Sequence, residues 1–180
     1  MPRNDAERRR LEEALVALYE THYERVARYV FVRIGDREEA EDLASETFVR
    51  ALRSLDEYEE RGLPMEAWLF RIARNLVVDH VRKKGKRERV PLDTVPLRSD
   101  ADPESDAETA DRVERLRRAM ERLSPAQREV IGLRFYSGLS SEECAKILGK
   151  KPGAIREMQS AAVKVLRRVL AKEFEGEQGI

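Results

Sequence analysis

The chain has 180 residues, enough for one or two domains, and 39% of them are charged against 6% aromatic, with Gly and Pro sparse, a balance that points to a soluble, helix-rich protein. No apolar run approaches a membrane span, the start MPRNDAERRRLEE lacks the apolar core of a secretory signal, and the single Cys144 excludes an internal disulfide, so a cytoplasmic protein without membrane insertion is expected. The net charge of zero is uneven: residues 1–85 carry 16 basic and 18 acidic groups, residues 86–111 carry 4 and 8, and residues 112–180 carry 15 and 9, which places a basic module behind an acidic stretch.

Residues 6–34 read as a helix, because Leu11, Leu15, Leu18, His22, Val26, Tyr29 and Val30 recur every three or four positions. His22 has no second ligand at metal spacing near it, so packing is its expected role. Gly35-Asp36 marks a break, with Asp36 as N-cap. A second helix over about 37–55 buries Ala40, Leu43, Ala44, Thr47, Phe48, Ala51 and Leu55 and turns Glu39, Asp42, Glu46, Arg50 and Arg53 outward. Its outer charges serve either as solvated support, through pairs such as Glu46–Arg50, or as a docking face for another protein. Periodicity does not separate these. Residues 56–64, DEYEERGLP, form an acidic loop. Such a loop is either solvated or shaped to receive an extruded base.

The stretch from Pro64 to Arg87 is a helix with two unlike faces. Trp68, Leu69, Ile72, Ala73, Leu76 and Val77 make an apolar stripe, while Arg71, Asn75, Asp79 and Arg82 make a polar one. Seven Lys or Arg and one acid fall between Arg71 and Arg87. A solvated charged face is the plainer reading; arginines for phosphate and an amide for a base edge is the functional one.

From Glu88 to about Asp111 the apolar period vanishes, and three prolines and many acids appear. A flexible linker and a domain boundary are expected here. Helical spacing resumes over 112–123. Ser124-Pro125-Ala126-Gln127 has a helix-start signature for a helix to about Tyr136 that buries Val130, Ile131, Leu133 and Phe135. Ser140 and Glu143 make a second capping box, opening a short helix with Cys144, Ala145, Ile147 and Leu148 inward. Cys144 reads as a small core hydrophobe. After Gly149, a last helix runs from Pro152 to about Phe174, with Ile155, Met158, Ala162, Leu166 and Val169 inward. A short helix, a Gly turn and a longer basic helix make a helix-turn-helix, whose longer helix would enter a major groove.

These segments resemble, in order, the bacterial sigma factors of the extracytoplasmic-function class, in the sigma-70 family of RNA polymerase. AEDLASETFVRAL (40–52) is similar to the segment that docks on the polymerase clamp. AWLFRIARNLVVDHVRK (67–83) is similar to the segment that melts and reads the −10 promoter element. LSPAQREVIGLRFYSGLSSEECAKILGKKPGAIR (123–156) is similar to the domain that reads the −35 element. The resemblance implies an all-α chain of two small helical domains: residues 1–87, a flexible acidic linker over 88–111, and a helix-turn-helix domain over 112–180. It implies polymerase contacts from Glu39, Asp42, Leu43, Glu46, Thr47 and Arg50. Single-stranded −10 DNA would meet Tyr58, Arg61, Trp68, Arg71, Arg74, Asn75, Asp79, Arg82 and Lys83, with loop 56–64 holding a flipped base. Duplex −35 DNA would meet Lys150, Lys151, Arg156, Glu157, Gln159, Ser160 and Lys164. The implied partners are core RNA polymerase, promoter DNA and an anti-sigma factor; no catalytic residue, metal or cofactor is implied.

The sequence departs from the family pattern at Lys151, where a Ser or Thr cap is usual, and at Met158, Ala161 and Val163, often Arg. Fewer cations there imply a weaker hold on phosphate. Two other classes fit less well. A free-standing dimeric regulator with an N-terminal sensor lacks any ligand-pocket signature in residues 1–85. An enzyme finds two distant histidines, one cysteine and no Gly-rich phosphate loop to work with.

Overall fold

A computed structural model describes residues 5–60, 62–85, 115–116 and 118–177, with side chains to 172. Every regular element in it is helical. The linker over 88–111 lies outside the described residues.

Helix α1 spans Asp5–Ile34 and α2 Arg37–Arg53. The break between them is short because Gly35 takes a positive φ of 76°, open to glycine without a Cβ penalty. Asp36 then caps α2 by accepting the Glu39 amide at 2.9 Å. On α2, Ala40, Ala44 and Ala51 are almost fully buried. Small side chains along one face let the α2 axis approach its neighbours closely. A single 3-10 turn at Leu55–Glu57 comes next, pinned by the fully buried Leu55.

Helix α3 spans Met65–Gly85. Its expected apolar stripe is observed: Trp68, Leu69, Ala73, Leu76 and Val77 are buried, Ile72 less so, and Phe70 and Ala67 add to the core. Phe70 meets Tyr29 of α1 edge-on at 5.7 Å, an arrangement worth about 0.5–1.5 kcal/mol beyond the area it buries.

In the C-terminal half, Ala119, Met120 and Leu123 are buried ahead of α4, Pro125–Ile131. Both capping boxes are complete. Ser124 and Gln127 exchange side-chain and backbone bonds at 3.0 and 3.2 Å. Ser140 and Glu143 do so at 2.7 and 3.1 Å, opening α5, Ser141–Leu148. Gly149, at φ 62°, closes α5 in the left-handed form. Helix α6, Pro152–Glu177, completes the helix-turn-helix.

One expectation fails. The helix beginning at Pro125 does not run as an α-helix to Tyr136: residues Gly132–Tyr136 widen into a π turn, and the Ser137 amide reaches back to the Gly132 carbonyl at 3.2 Å. The extra residue in that turn rotates the side chains along it out of α register. Leu133 stays fully buried, but Phe135, expected inside, is 60% exposed.

The core does not stop at the end of α3. Val130, Leu133, Leu139, Cys144, Ala145, Ile147 and Ile155 join the same apolar cluster as Val26, Tyr29, Phe70 and Val77. Gly132 is where the two halves come close: a Cβ there would lie 3.1 Å from the Tyr29 ring. The two helical units therefore sit against one another.

Candidate functional site

The α3 polar face carries most of the expected chemistry. Arg71, Asn75, Arg82 and Lys83 are exposed. Asp79 is half-buried and pairs with Arg82 at 3.1 Å. Asn75 also lines a shallow groove with Arg50, Arg53, Ser54, Glu57 and Ile72. That groove brings α2 cations, the 3-10 turn and the α3 amide together.

Arg74 is placed differently. Its Nε donates to Oε1 of Glu129, on α4, at 2.7 Å. Tyr58 and Trp68, expected to face a strand, are only 3% and 4% exposed. Their rings lie 5.1 Å apart, so they brace loop 56–64 against α3 from inside. The reason is the phase of the helix: Trp68 lies on the apolar stripe that docks α3 on the core. Arg61 lies outside the described residues.

On α2, Asp42 and Arg50 are exposed, and Glu46 accepts from Arg50 at 2.8 Å. Thr47 departs from its expected polymerase contact. It is fully buried, and its hydroxyl donates to the Leu43 carbonyl at 2.7 Å. Leu43 is half-buried. Glu39 is drawn toward α3, where it lies 2.8 Å from Lys84 Nζ and 3.2 Å from His80 Nε2. Beside the outward charges stand exposed Val49 and Leu52, which sequence reasoning missed. Their spacing held the signal: Val49 lies three residues after Glu46 and seven after Asp42, and Leu52 three after Val49, at the edge of a helix side otherwise assigned to charge. Nearby, Tyr19 is half-exposed and meets Phe48 edge-on at 5.1 Å.

The outer side of α6 is open. Lys150, Lys151, Arg156, Glu157, Ser160 and Lys164 are exposed. Gln159 is half-buried, and its side chain accepts from Arg134 at 2.9 Å. Arg156 lies 3.4 Å from Glu142. Lys151 precedes α6 and gives its carbonyl to the Ile155 amide at 3.2 Å. His22 is half-buried, with Nε2 3.0 Å from Glu66. Among the described residues no cluster of His, Cys, Asp and Glu has metal-site spacing.

Cys144 is buried, and burial, only partly offset by Arg134, pushes its thiol up to about 11. Its thiolate fraction at neutral pH is then on the order of 10⁻⁴. The expected result is that a thiol reagent at pH 7 labels the native chain far more slowly than the chain in denaturant. Equal rates would show that this side of α5 opens readily.

Sequence comparison adds the deciding observation. The sigma-70 region 2 profile matches residues 18–87 and the sigma-70 region 4 profile matches residues 113–166. The ECF RNA polymerase sigma factor SigD of Mycobacterium tuberculosis H37Rv is 38% identical over 160 residues, covering 86% of this chain and 76% of SigD. The chain belongs to the extracytoplasmic-function sigma factors of the sigma-70 family. BldN of Streptomyces coelicolor, another such factor, is 40% identical over 162 residues, 88% of this chain, and the match spans 61% of BldN's length. Among solved structures, the sigma factor RpoE of Bartonella quintana, in complex with the anti-sigma factor NepR, superposes with a TM-score of 0.71 at 25% identity, covering 88% of this chain and 98% of that one. CnrH in complex with the cytosolic domain of CnrY superposes with a TM-score of 0.67 at 25% identity, covering 89% and 90%. The all-α, two-unit sigma fold expected from the sequence is thus the one found. No helix among the described residues is long and apolar enough to cross a membrane.

Proposed function

We propose that this sigma factor directs promoter-specific initiation by joining core RNA polymerase, reading a −35 duplex with α6 and a single-stranded −10 element with α3. The carrying observation is the division of α3 into a face locked in the core and a face presenting Arg71, Asn75, Arg82 and Lys83 to solvent. Arginines aimed outward from a rigid helix suit phosphate, and a neighbouring amide suits a base edge. The stripe of Asp42, Glu46 and Arg50, flanked by exposed Val49 and Leu52, forms the polymerase contact. The exposed apolar residues supply contact area and the charges beside them specificity.

In this reading residues 1–87 work as one functional unit, residues 112–180 as another, and the acidic stretch over 88–111 joins them. The chain carries no reaction of its own and acts in the cytoplasm, where polymerase is. An anti-sigma factor is a further partner, as NepR is for the Bartonella RpoE. Unstacking a base costs a few kcal/mol, and the sparse cations of α6 give a weak hold on duplex, so the polymerase contacts must supply the difference. Run-off transcription with core polymerase and a promoter library tests this. Added chain should yield discrete new start sites, whereas nanomolar duplex binding by the chain alone and no run-off product would favour a free-standing regulator.

A further inference from the structure

Loop 56–64 opens with Asp56, Glu57, Glu59 and Glu60, and all four carboxylates are exposed. From inside, the loop is anchored by Leu55 just before it, by Tyr58 and by Leu63, all buried. From outside, two of its acids are held by the start of α1. Arg8 Nη1 donates to Asp56 Oδ2 at 2.5 Å, and Arg10 Nη2 donates to Glu60 Oε2 at 2.6 Å. Arg8 Nε donates at the same time to Glu12 Oε1, one turn further along α1, at 3.0 Å. A planar guanidinium with donors in a fixed fork suits such double engagement, and Glu12 thereby aims Arg8 at the loop.

Arg8 and Arg10 stand ahead of residue 18, where the sigma-70 region 2 match begins. Leu11 and Leu15, each 5% exposed, seat that end of α1 on the core, so the two guanidinium groups project from a fixed support. The pairs themselves lie in water: the side chains are 41% and 51% exposed for Arg8 and Asp56, and 62% and 66% for Arg10 and Glu60. Ion pairs so exposed contribute little to folding. Their effect falls on the path of the loop between its buried anchors. Apolar anchors are non-directional, whereas a site that reads a base by hydrogen bonds needs its groups held to within about 0.5 Å.

We infer that Arg8 and Arg10 are positioning residues for base selection: from outside the region 2 match they tie Asp56 and Glu60, and so hold loop 56–64 on the path that fits its −10 base. The inference rests on the proposed role of that loop. It adds a stretch of α1 to the −10 reader without giving that stretch a contact to the strand.

The test uses holoenzyme formed from the full chain, and fork-junction promoter fragments carrying each base in turn at every −10 position. Arg8→Ala/Arg10→Ala breaks both ties and makes the region more acidic. Asp56→Asn/Glu60→Gln breaks them and makes it less acidic. Both variants should keep the wild-type urea midpoint. Both should lose base preference at the same single position, by roughly tenfold, the discrimination that one well-placed base contact carries. Overall affinity should move in opposite directions, down for the alanine variant and up for the amide variant, as repulsion of phosphate requires. The charge-swapped Arg8→Asp/Arg10→Glu/Asp56→Arg/Glu60→Arg chain should recover much of the preference. Affinity shifts with the base preference intact would reduce the arginines to charge balance and overturn the inference. Relaxation in only one of the two variants, or at every position equally, would overturn it as well, and so would a midpoint well below wild type in both. A wild-type holoenzyme with no base preference in the −10 element would instead remove the reading of the loop, and the inference with it.

Discussion

Trp68→Ala is expected to cost about 3–5 kcal/mol of folding stability, the usual loss for truncating a buried aromatic, and to do so before it affects any nucleic acid. Trp68 is 4% exposed and its ring lies 5.1 Å from that of Tyr58, itself 3% exposed. Removing it opens a void beneath loop 56–64 and takes from Tyr58 the surface it rests on. Loop 56–64 therefore loses its brace, and the whole N-terminal unit loses part of a core that Leu69, Phe70 and Ala73 share. Trp68→Phe keeps a ring in the site and should cost much less. Urea denaturation monitored by circular dichroism measures both. A Trp68→Ala chain as stable as wild type, yet unable to bind a −10 oligonucleotide, would show that the indole works at the surface.

That result bears on how far the sequence could be read. Helices, caps and the helix-turn-helix were legible because each rests on local spacing: three- and four-residue apolar periods, Ser-x-x-Gln and Ser-x-x-Glu boxes, Gly35 and Gly149 at turns. The buried faces of α2 and α3 came from the same periods. Thr47 and Trp68 lie on the buried faces that these periods give, and the contact roles that the family resemblance assigns them by position in a motif give way to helix phase; Tyr58, beyond the end of α2, has no period to mark its burial. Thr47 belongs to the stripe of Ala40, Ala44 and Ala51, and its hydroxyl is satisfied inside the helix by Leu43. Phe135 was misplaced because the π turn over Gly132–Tyr136 carries it out of α register, and no period in the local sequence announces that turn. The pairing of Arg74 with Glu129 was illegible for a related reason. The two are far apart in the chain, and each alone reads as an ordinary surface charge.

The triple variant Arg71→Ala/Arg82→Ala/Lys83→Ala is expected to leave stability nearly unchanged and to weaken −10 engagement severely. All three side chains are exposed, and the one ion pair among them, Arg82 with Asp79 at 3.1 Å, is a solvent-exposed pair of the kind that contributes little to folding. Each cation placed on a single-stranded phosphate adds about 0.7 to the slope of log affinity against log salt. Losing three such contacts lowers that slope by about 2, so wild type and variant should differ roughly 20-fold in how much binding they lose between 50 and 200 mM salt. Holoenzyme binding to a fork-junction promoter fragment, titrated across that range, reads the slope directly. Asn75→Ala should behave otherwise. An amide that bonds a base edge carries discrimination of about 1–3 kcal/mol, so its loss should relax sequence preference at one promoter position and leave the salt slope in place. A triple variant with the wild-type slope would place these cations away from the strand, and the −10 assignment of α3 would then have to be given up.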